Sequence, residues 1–262
     1  MSTAEPIIMP GRQDEKTAHF VSPPDAYTWK PERTLSETVL PAETPEPEPP
    51  DTADLAPVAD RGDVGMTKQA IYRHLRELRD DFTPPPGLTY PEISDEQIVM
   101  MMSPRPRHQL TAKDITRQLD PQLPEGIFAY ESTDVDDENL GKLRVPDIIV
   151  TSREAMMTDD PLDPREITLA IEIVSPSNPD NDYRDKTSDY PAMGIPHYLI
   201  VDPRNGTWTY QWQIGKVGGL VAYENRLHLS YKNTVTITTE LGEWTIETGD
   251  LPRYSERDMR HV

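Results

Sequence analysis

The pattern of apolar and polar residues becomes regular near Met66 and first predicts a helix. The segment TKQAIYRHLRELRDDF carries apolar side chains at helical spacing, at Ile71, Leu75, Leu78 and Phe82. Thr67 is a suitable N-cap, and the run PPPG at 84–87 would end the helix. We therefore predict an amphipathic helix between these two signals.

The middle of the chain predicts a helix among several strands. Residues 97–102 predict a buried strand, and residues 108–119 predict a helix with Leu110, Ile115 and Leu119 on one side. Three further strands are predicted at 127–132, 145–152 and 167–174. The last two are almost continuously apolar, which is typical of central strands in a sheet.

The C-terminal third predicts one helix followed by hairpins. A helical stretch covers about 181–193, and we expect Pro191 near its end to kink or shorten it. Residues 197–201 and 207–213 predict two strands joined by the turn DPRNG. Alternating segments then extend an antiparallel meander, at 217–223, 227–231, 234–239 and 244–248.

The first 66 residues have a different composition from the rest. They hold 11 of the 28 prolines and many Glu, Thr, Ser and Ala residues, so they bury too little apolar surface to offset chain entropy. We predict a disordered tail at 1–66 and one domain at 67–262. Small apolar clusters such as Phe20-Val21 and Tyr27-Thr28-Trp29 are either docking motifs for a protein partner or scattered tail residues.

Composition excludes several classes of site. The chain has no cysteine, which rules out disulfides, thiolate metal sites and a cysteine nucleophile. The N-terminus lacks a signal-peptide pattern, and no stretch reaches the roughly 18 apolar residues that a membrane span needs. We expect a soluble, cytoplasmic protein.

Charge argues against tight nonspecific binding to nucleic acid. The net charge is −20. Residues 1–66 hold 5 basic and 13 acidic side chains, net −8, which leaves 21 basic and 33 acidic side chains, net −12, for residues 67–262. Phosphate contacts need clustered Lys and Arg, so any such contact must come from a local basic patch.

Two carboxylates in apolar strands form the strongest candidate site. Asp147 begins the strand VPDIIV, and Glu172 lies inside the strand LAIEIVSPS between two isoleucines. A buried carboxylate is costly unless a positive group compensates it, and a divalent cation such as Mg²⁺ would do so if the strands are neighbours. Asp147 alone is more typical of a turn or cap, whereas Glu172 lacks an obvious structural explanation.

Lys186 follows Glu172 by 14 residues on the predicted helix. An ammonium beside a carboxylate metal site can orient or deprotonate an attacking water and stabilise a phosphate transition state. Alone it would be a solvated helix residue. The nearby side chains Asp182, Tyr183, Asp185 and Tyr190 are candidates to line the same cleft.

At these residues the chain resembles the Uma2 family of restriction-endonuclease-like proteins in the PD-(D/E)XK superfamily. The matching segments are PEISDEQIVMMMSPRPRH, VPDIIV, EIVSPS, DYRDK, Tyr190 and GIPHYLIVDP, within about 88–215. Where the family usually has Asp-Gly in its first hairpin, this chain has Asp95-Glu96, so we expect a different turn there.

The resemblance implies an α/β fold with a restriction-endonuclease-like core, in which helices flank a mixed central sheet. It implies that Asp147 and Glu172 are metal ligands for Mg²⁺ or Mn²⁺ and that Lys186 is the catalytic lysine. Glu92 matches a glutamate in the family pattern, and in this chain Glu92 either contacts the site or lies on the surface. His108 matches a family histidine that orients phosphate or makes a structural hydrogen bond.

Three functions remain open from the sequence. The first is an endonuclease that cleaves DNA with Mg²⁺, in a superfamily whose members often work as dimers. The second is an inactive nuclease fold that binds or assembles with a partner, which the negative charge favours. The third is a carboxylate-only hydrolase that acts on something other than nucleic acid.

Overall fold

The computed structural model describes residues 66–89 and 91–260. Its helices are α1 (Lys68–Asp80), α2 (Pro106–Leu119), α3 (Lys186–Ala192) and α4 (Glu256–Arg260). Its strands are β1 (Glu92–Ser94), β2 (Gln97–Val99), β3 (Ile127–Glu131), β4 (Val135–Asp137), β5 (Lys142–Arg144), β6 (Ile148–Ser152), β7 (Ile167–Ile173), β8 (His197–Asp202), β9 (Thr207–Val217), β10 (Leu220–Ser230), β11 (Val235–Thr239) and β12 (Gly242–Ile246). A π-helical turn, Asn181–Asp185, leads directly into α3.

A mixed six-stranded sheet forms the centre of the fold. Its strand order is β10-β9-β8-β7-β6-β3. The pair β7–β8 is parallel, and the other neighbouring pairs are antiparallel. The predicted mixed sheet is therefore confirmed, and the apolar strands β6 and β7 lie inside it.

The two faces of this sheet bury separate apolar clusters. One face packs against Ala112, Ile115 and Leu119 of α2 and against strands β11 and β12. The other face packs against Tyr190 of α3 and residues that follow it. Along β7, Ile171 and Ile173 belong to the first cluster and Ala170 to the second, so Glu172 points toward the α3 side.

The helix predicted at the start of the domain has the expected position but not the expected buried face. Thr67 caps α1 by accepting a hydrogen bond from the backbone N–H of Ala70 at 3.2 Å. Leu78 and Phe82 are exposed, and the buried side chains are Tyr72 and Arg79. Arg79 can be buried because it donates to the carbonyl of Pro91 at 2.7 Å and pairs with Asp134 at 2.7 Å.

Other predicted elements also differ in detail. The strand expected at 97–102 is only β2, and Met102 beyond it is 57% exposed. Leu110 on α2 is exposed as well, since α2 buries Thr111 and Ala112 instead. Two strands expected at 217–223 and 227–231 form the single strand β10, which makes a long hairpin with β9 in the central sheet. Strands β11 and β12 pair separately.

The turn between β1 and β2 keeps the geometry of a two-residue hairpin. Ser94 pairs with Gln97, and both residues between them have positive φ, 51° for Asp95 and 61° for Glu96. This conformation is the one that Asp-Gly favours, so the expectation of a different turn was wrong. The Asp95 carboxylate is held by Lys142 at 2.8 Å.

The predicted tail, with its apolar clusters at 20–21 and 27–29, lies outside the described residues, so its disorder stays a prediction. Among the residues that are described, no helix is both long and apolar enough to cross a membrane.

Candidate active site

A cavity of about 280 Å³ opens where the central sheet, α2 and the π-helical turn meet. Its lining includes six of the side chains singled out from the sequence, namely Glu92, His108, Asp147, Glu172, Asp182 and Lys186. They come from separate elements of the fold, spread over 95 positions of the chain. Tyr190 does not line the cavity, but its hydroxyl donates a hydrogen bond to Glu172 Oε1.

Asp147 immediately precedes β6, where the sheet faces the cavity. The antiparallel register pairs Ile149 with Ala170 and Ile148 with Ile171, so its continuation sets Asp147 opposite Glu172. The two carboxylates therefore lie on the same side of the sheet. Asp147 Oδ2 accepts from the backbone N–H of Ile173 at 2.7 Å, which fixes the carboxylate against the end of β7.

His108 holds the other oxygen of Asp147. Its Nε2 lies 3.0 Å from Asp147 Oδ1. Burial alone would lower the pKa of His108, but the charge and hydrogen bond of Asp147 outweigh burial and raise it. Burial would raise the pKa of Asp147, but the charge and hydrogen bond of His108 outweigh burial and lower it. Asp147 is therefore an ionised carboxylate aimed into the cavity.

Lys186 lies at the centre of the carboxylates. Its Nζ is 2.8 Å from Glu172 Oε1, 3.2 Å from Glu92 Oε1 and 3.9 Å from Asp182 Oδ1. Burial favours the neutral amine, but these carboxylates outweigh burial and raise the pKa of Lys186. Lys186 is therefore an ammonium, which supports the orienting and stabilising role over the deprotonating one.

The π-helical turn sets the direction of Lys186. The backbone N–H of Lys186 donates to the carbonyl of Asn181, five residues earlier. The carbonyl of Asp182 instead accepts from the hydroxyls of Tyr198 at 2.9 Å and Thr187 at 3.2 Å. The wider turn brings the side chains of Asp182 and Lys186 into the same cavity, a common use of π-turns.

Glu92 is fixed by a buried arginine that the sequence gave no reason to select. Arg144 at the end of β5 is 1% exposed and donates to Glu92 Oε2 at 2.8 Å, to Ser94 at 2.9 Å and to the Asp189 carboxylate. Burial would raise the pKa of Glu92, but Lys186 and Arg144 together lower it. The predicted surface role for Glu92 is therefore wrong, since Glu92 is buried beside the cavity.

Acidic side chains outnumber basic side chains around the cavity. Burial, reinforced by Asp147, Asp182 and Glu92, raises the pKa of Glu172 well above its ordinary value despite Lys186. Burial and the neighbouring carboxylates likewise raise the pKa of Asp182 to about 7. Raised carboxyl pKa values of this kind are typical of functional sites.

The carboxylate oxygens of the cavity suit a hard divalent cation such as Mg²⁺. Within residues 66–89 and 91–260, no three His, Asp or Glu side chains are grouped so that they alone could hold a metal ion. Asp147 and Glu172 supply two oxygen donors on one side of the sheet, and Mg²⁺ typically binds through one or two carboxylates with water filling its other positions.

Two other side chains expected in the cleft lie elsewhere. The hydroxyl of Tyr183 donates to Asp202 Oδ2 at 3.2 Å, and Asp185 is exposed. The sequence also missed Tyr254, a cavity-lining residue from the C-terminal segment. Its hydroxyl lies 3.4 Å from His108 Nδ1.

Comparison with known proteins identifies the family. Residues 80–248 match the model of the Uma2 family, described as "Putative restriction endonuclease". The chain belongs to the Uma2 family. The resemblance found in the sequence is thus confirmed, and the Uma2 match extends beyond the expected 88–215 at both ends. All six cavity-lining residues named above fall inside it.

Among solved structures, the chain is similar to the crystal structure of a "putative nuclease belonging to DUF820" from Anabaena variabilis. The identity is 14% and the TM-score is 0.46, with 72% of this chain and 96% of that chain covered. No curated protein matches the chain. Membership of Uma2 is therefore the comparison that bears on function, and it gives a nuclease family and fold.

Proposed function

We propose that this protein is a Mg²⁺-dependent endonuclease that hydrolyses phosphodiester bonds of DNA. The observation that carries the proposal is the arrangement of Asp147, Glu172 and Lys186. The two carboxylates lie opposite each other on one side of the sheet, and the ammonium contacts Glu172 at 2.8 Å beside an open cavity.

Asp147 and Glu172 would hold the metal ion. Bound Mg²⁺, or Mn²⁺ in its place, would polarise a phosphoryl oxygen and lower the pKa of a coordinated water. His108 and the N–H of Ile173 orient Asp147, while Tyr190 and Lys186 orient Glu172. Two carboxylates held in this way need little rearrangement to accept a cation, which favours binding.

Lys186 would act on the phosphate as a charged group. Its ammonium is held by Glu172, Glu92 and Asp182, so it can donate hydrogen bonds to the negative charge that develops on the phosphate oxygens. Glu92 is a positioning residue, because it reaches the site through Lys186. His108 would orient substrate only through its contact with Asp147.

The test incubates the purified chain with supercoiled, linear and single-stranded DNA and with Mg²⁺ or Mn²⁺. Asp147→Ala and Lys186→Ala should each lower the cleavage rate by a factor of ~100 or more. The matched control is Asp185→Ala, which removes an exposed acid from the same π-helical turn and should leave the rate unchanged. Cleavage that survives in both site variants would contradict the assignment.

A second candidate is an inactive nuclease fold that binds or assembles with a partner and cleaves no DNA. It is favoured by the net charge of −20 and by the ion pairs through which Lys186 and Glu172 already satisfy each other. The same incubation separates the two candidates, since wild-type chain that cleaves no DNA with either metal would leave binding as the function.

A further inference from the structure

The C-terminal segment 252–260 lies against the mouth of the cavity. Tyr254 lines the cavity, with its hydroxyl 3.4 Å from His108 Nδ1 and its backbone N–H donating to the Pro203 carbonyl at 3.1 Å. This segment follows the part of the chain that matches the family, residues 80–248. It therefore brings to the site contacts that the matched region does not contain.

The segment is held there by two arginines at the start of α2. Arg107 Nη1 lies 3.1 Å from Asp258 Oδ2 and also donates to the Arg253 carbonyl at 3.1 Å. Arg105 Nη1 donates to the backbone carbonyl of Asp258 at 2.6 Å. The Asp258 carboxylate is kept in place by the N–H and hydroxyl of Ser255, at 2.8 and 2.7 Å.

These arginines lie at the start of the helix that brings His108 to the cavity. Arg105 lines the cavity and is the N-cap of the 14-residue helix whose His108 contacts Asp147, and Arg107 lies in the first turn of that helix. Guanidinium groups suit phosphate oxygens, and the positive end of the helix dipole adds to the attraction. In this structure Asp258 contacts both arginines, through its backbone carbonyl at Arg105 and through its carboxylate at Arg107.

We propose that Arg105 and Arg107 form a subsite for a backbone phosphate of DNA, and that the segment 252–260 blocks this subsite by placing Asp258 on it. The proposal rests on the proposed function in taking DNA as the ligand. It also explains how an acidic chain can keep a local basic patch whose charge is paired with Asp258 until the segment moves. DNA and the segment 252–260 then compete for the same two arginine side chains.

The test measures binding of a labelled DNA duplex to the full chain by fluorescence anisotropy in EDTA, so that cleavage plays no part. Asp258→Asn removes the carboxylate charge and should tighten binding about two- to fivefold, the range of one exposed ion pair. The matched control is Glu256→Gln, which removes one negative charge from the same short helix. Glu256 pairs with Arg260, so this control should change affinity less than Asp258→Asn does.

A second pair of variants tests the subsite itself. Arg107→Gln should weaken binding and lower the slope of log affinity against log salt by about one, since one phosphate contact is lost. Arg117→Gln, at the far end of the same helix, is the control for net charge. Thermal unfolding of all four variants checks that each remains folded.

Two results would overturn the proposal. One is equal affinity of Asp258→Asn and Glu256→Gln, and the other is equal affinity of Arg107→Gln and Arg117→Gln. Failure of the proposed function gives a different outcome, because binding would then respond as expected while no metal supports cleavage. Cleavage by the wild type together with either equality would reject only the subsite and its blocking segment.

Discussion

Lys186 is the side chain on which the charge balance of the cavity depends. It is 2% exposed and pairs with both Glu172 and Glu92. Removing one partner of a buried ion pair leaves the other charge buried without compensation, which costs about 3–5 kcal/mol. We predict that Lys186→Met lowers the free energy of unfolding by about that amount, as measured by urea denaturation at neutral pH.

The control for this substitution is Lys113→Met, since the Lys113 side chain is 62% exposed and lies 3.9 Å from Glu131. It should change stability by less than about 0.5 kcal/mol. The loss in Lys186→Met should shrink at acid pH, where the carboxylates become neutral. Equal stability of the two variants at neutral pH would show that the acids do not need the ammonium.

Asp182 makes the stability of the metal-free protein depend on pH. Burial and neighbouring carboxylates raise its pKa from 3.8 to about 7, so the folded state binds more protons than the unfolded state between these values. Its contribution to stability is therefore present below about pH 4 and is lost as pH rises through 7. Asp182→Asn should gain on the order of 4 kcal/mol relative to wild type at pH 8 and little at pH 4.

Urea denaturation at both pH values checks this prediction. Asp185→Asn, from the same turn but exposed, should follow the wild-type profile. A gain in Asp182→Asn that is the same at both pH values would contradict the proposed titration.

Single residues of the site differ in how far sequence could predict them. Glu172 could be predicted from the sequence because an acid between isoleucines is unusual. Asp147 and Lys186 could be predicted because a family motif links them to Glu172. Arg144 carries no such signal, since its neighbours Leu143 and Val145 would suit any strand. Its importance comes from partners 37 to 52 positions away, namely Asn181, Asp189 and Glu92, which only the tertiary fold brings together.

At the scale of elements, the β1–β2 turn carries backbone strain. Both Asp95 and Glu96 have positive φ, which costs about 1–2 kcal/mol for a residue with a Cβ and nothing for glycine. We predict that Glu96→Gly raises the free energy of unfolding by about 1 kcal/mol, as measured by thermal or urea unfolding.

Glu96→Ala is the control for this turn, because it removes the same side chain but keeps the Cβ. It should not stabilise the protein. A gain in Glu96→Ala as large as that in Glu96→Gly would show that the side chain, and not the backbone conformation, is the source of the cost.

Periodicity predicted the existence of the long elements better than their buried faces. The strands β6 and β7 were predictable because apolar residues fill both of their faces, which leaves no choice of orientation. The helix α1 offered several apolar residues, but burial of Arg79 depends on Pro91 and Asp134, which lie in other parts of the chain. Hydrophobic spacing contains no information about such polar partners.

At the scale of the whole molecule, the described domain accounts for its own core. Its buried apolar residues lie between Tyr72 and Leu251. We predict that a chain starting at Met66 unfolds at the same temperature as the full chain, within about 2 °C, in a thermal melt. A larger drop would contradict the predicted disordered tail at 1–66.

A protein partner for that tail and a homodimer stay predictions. Pull-down with the tail tests the partner, and sedimentation of the full chain tests the homodimer.

The position of the charged groups along the chain has a consequence for the order of folding. The stretch from β7 to α3 contains Glu172, Asp182 and Lys186. Their mutual contacts therefore close loops of only 4 to 14 residues. Glu92 lies 80 positions before Glu172, and its contact with Lys186 requires a far longer closure. Distant contacts of this kind tend to form late. The β7–α3–β8 unit can therefore assemble early with its acids still open to water, and Glu92, held by Arg144, then packs against Lys186.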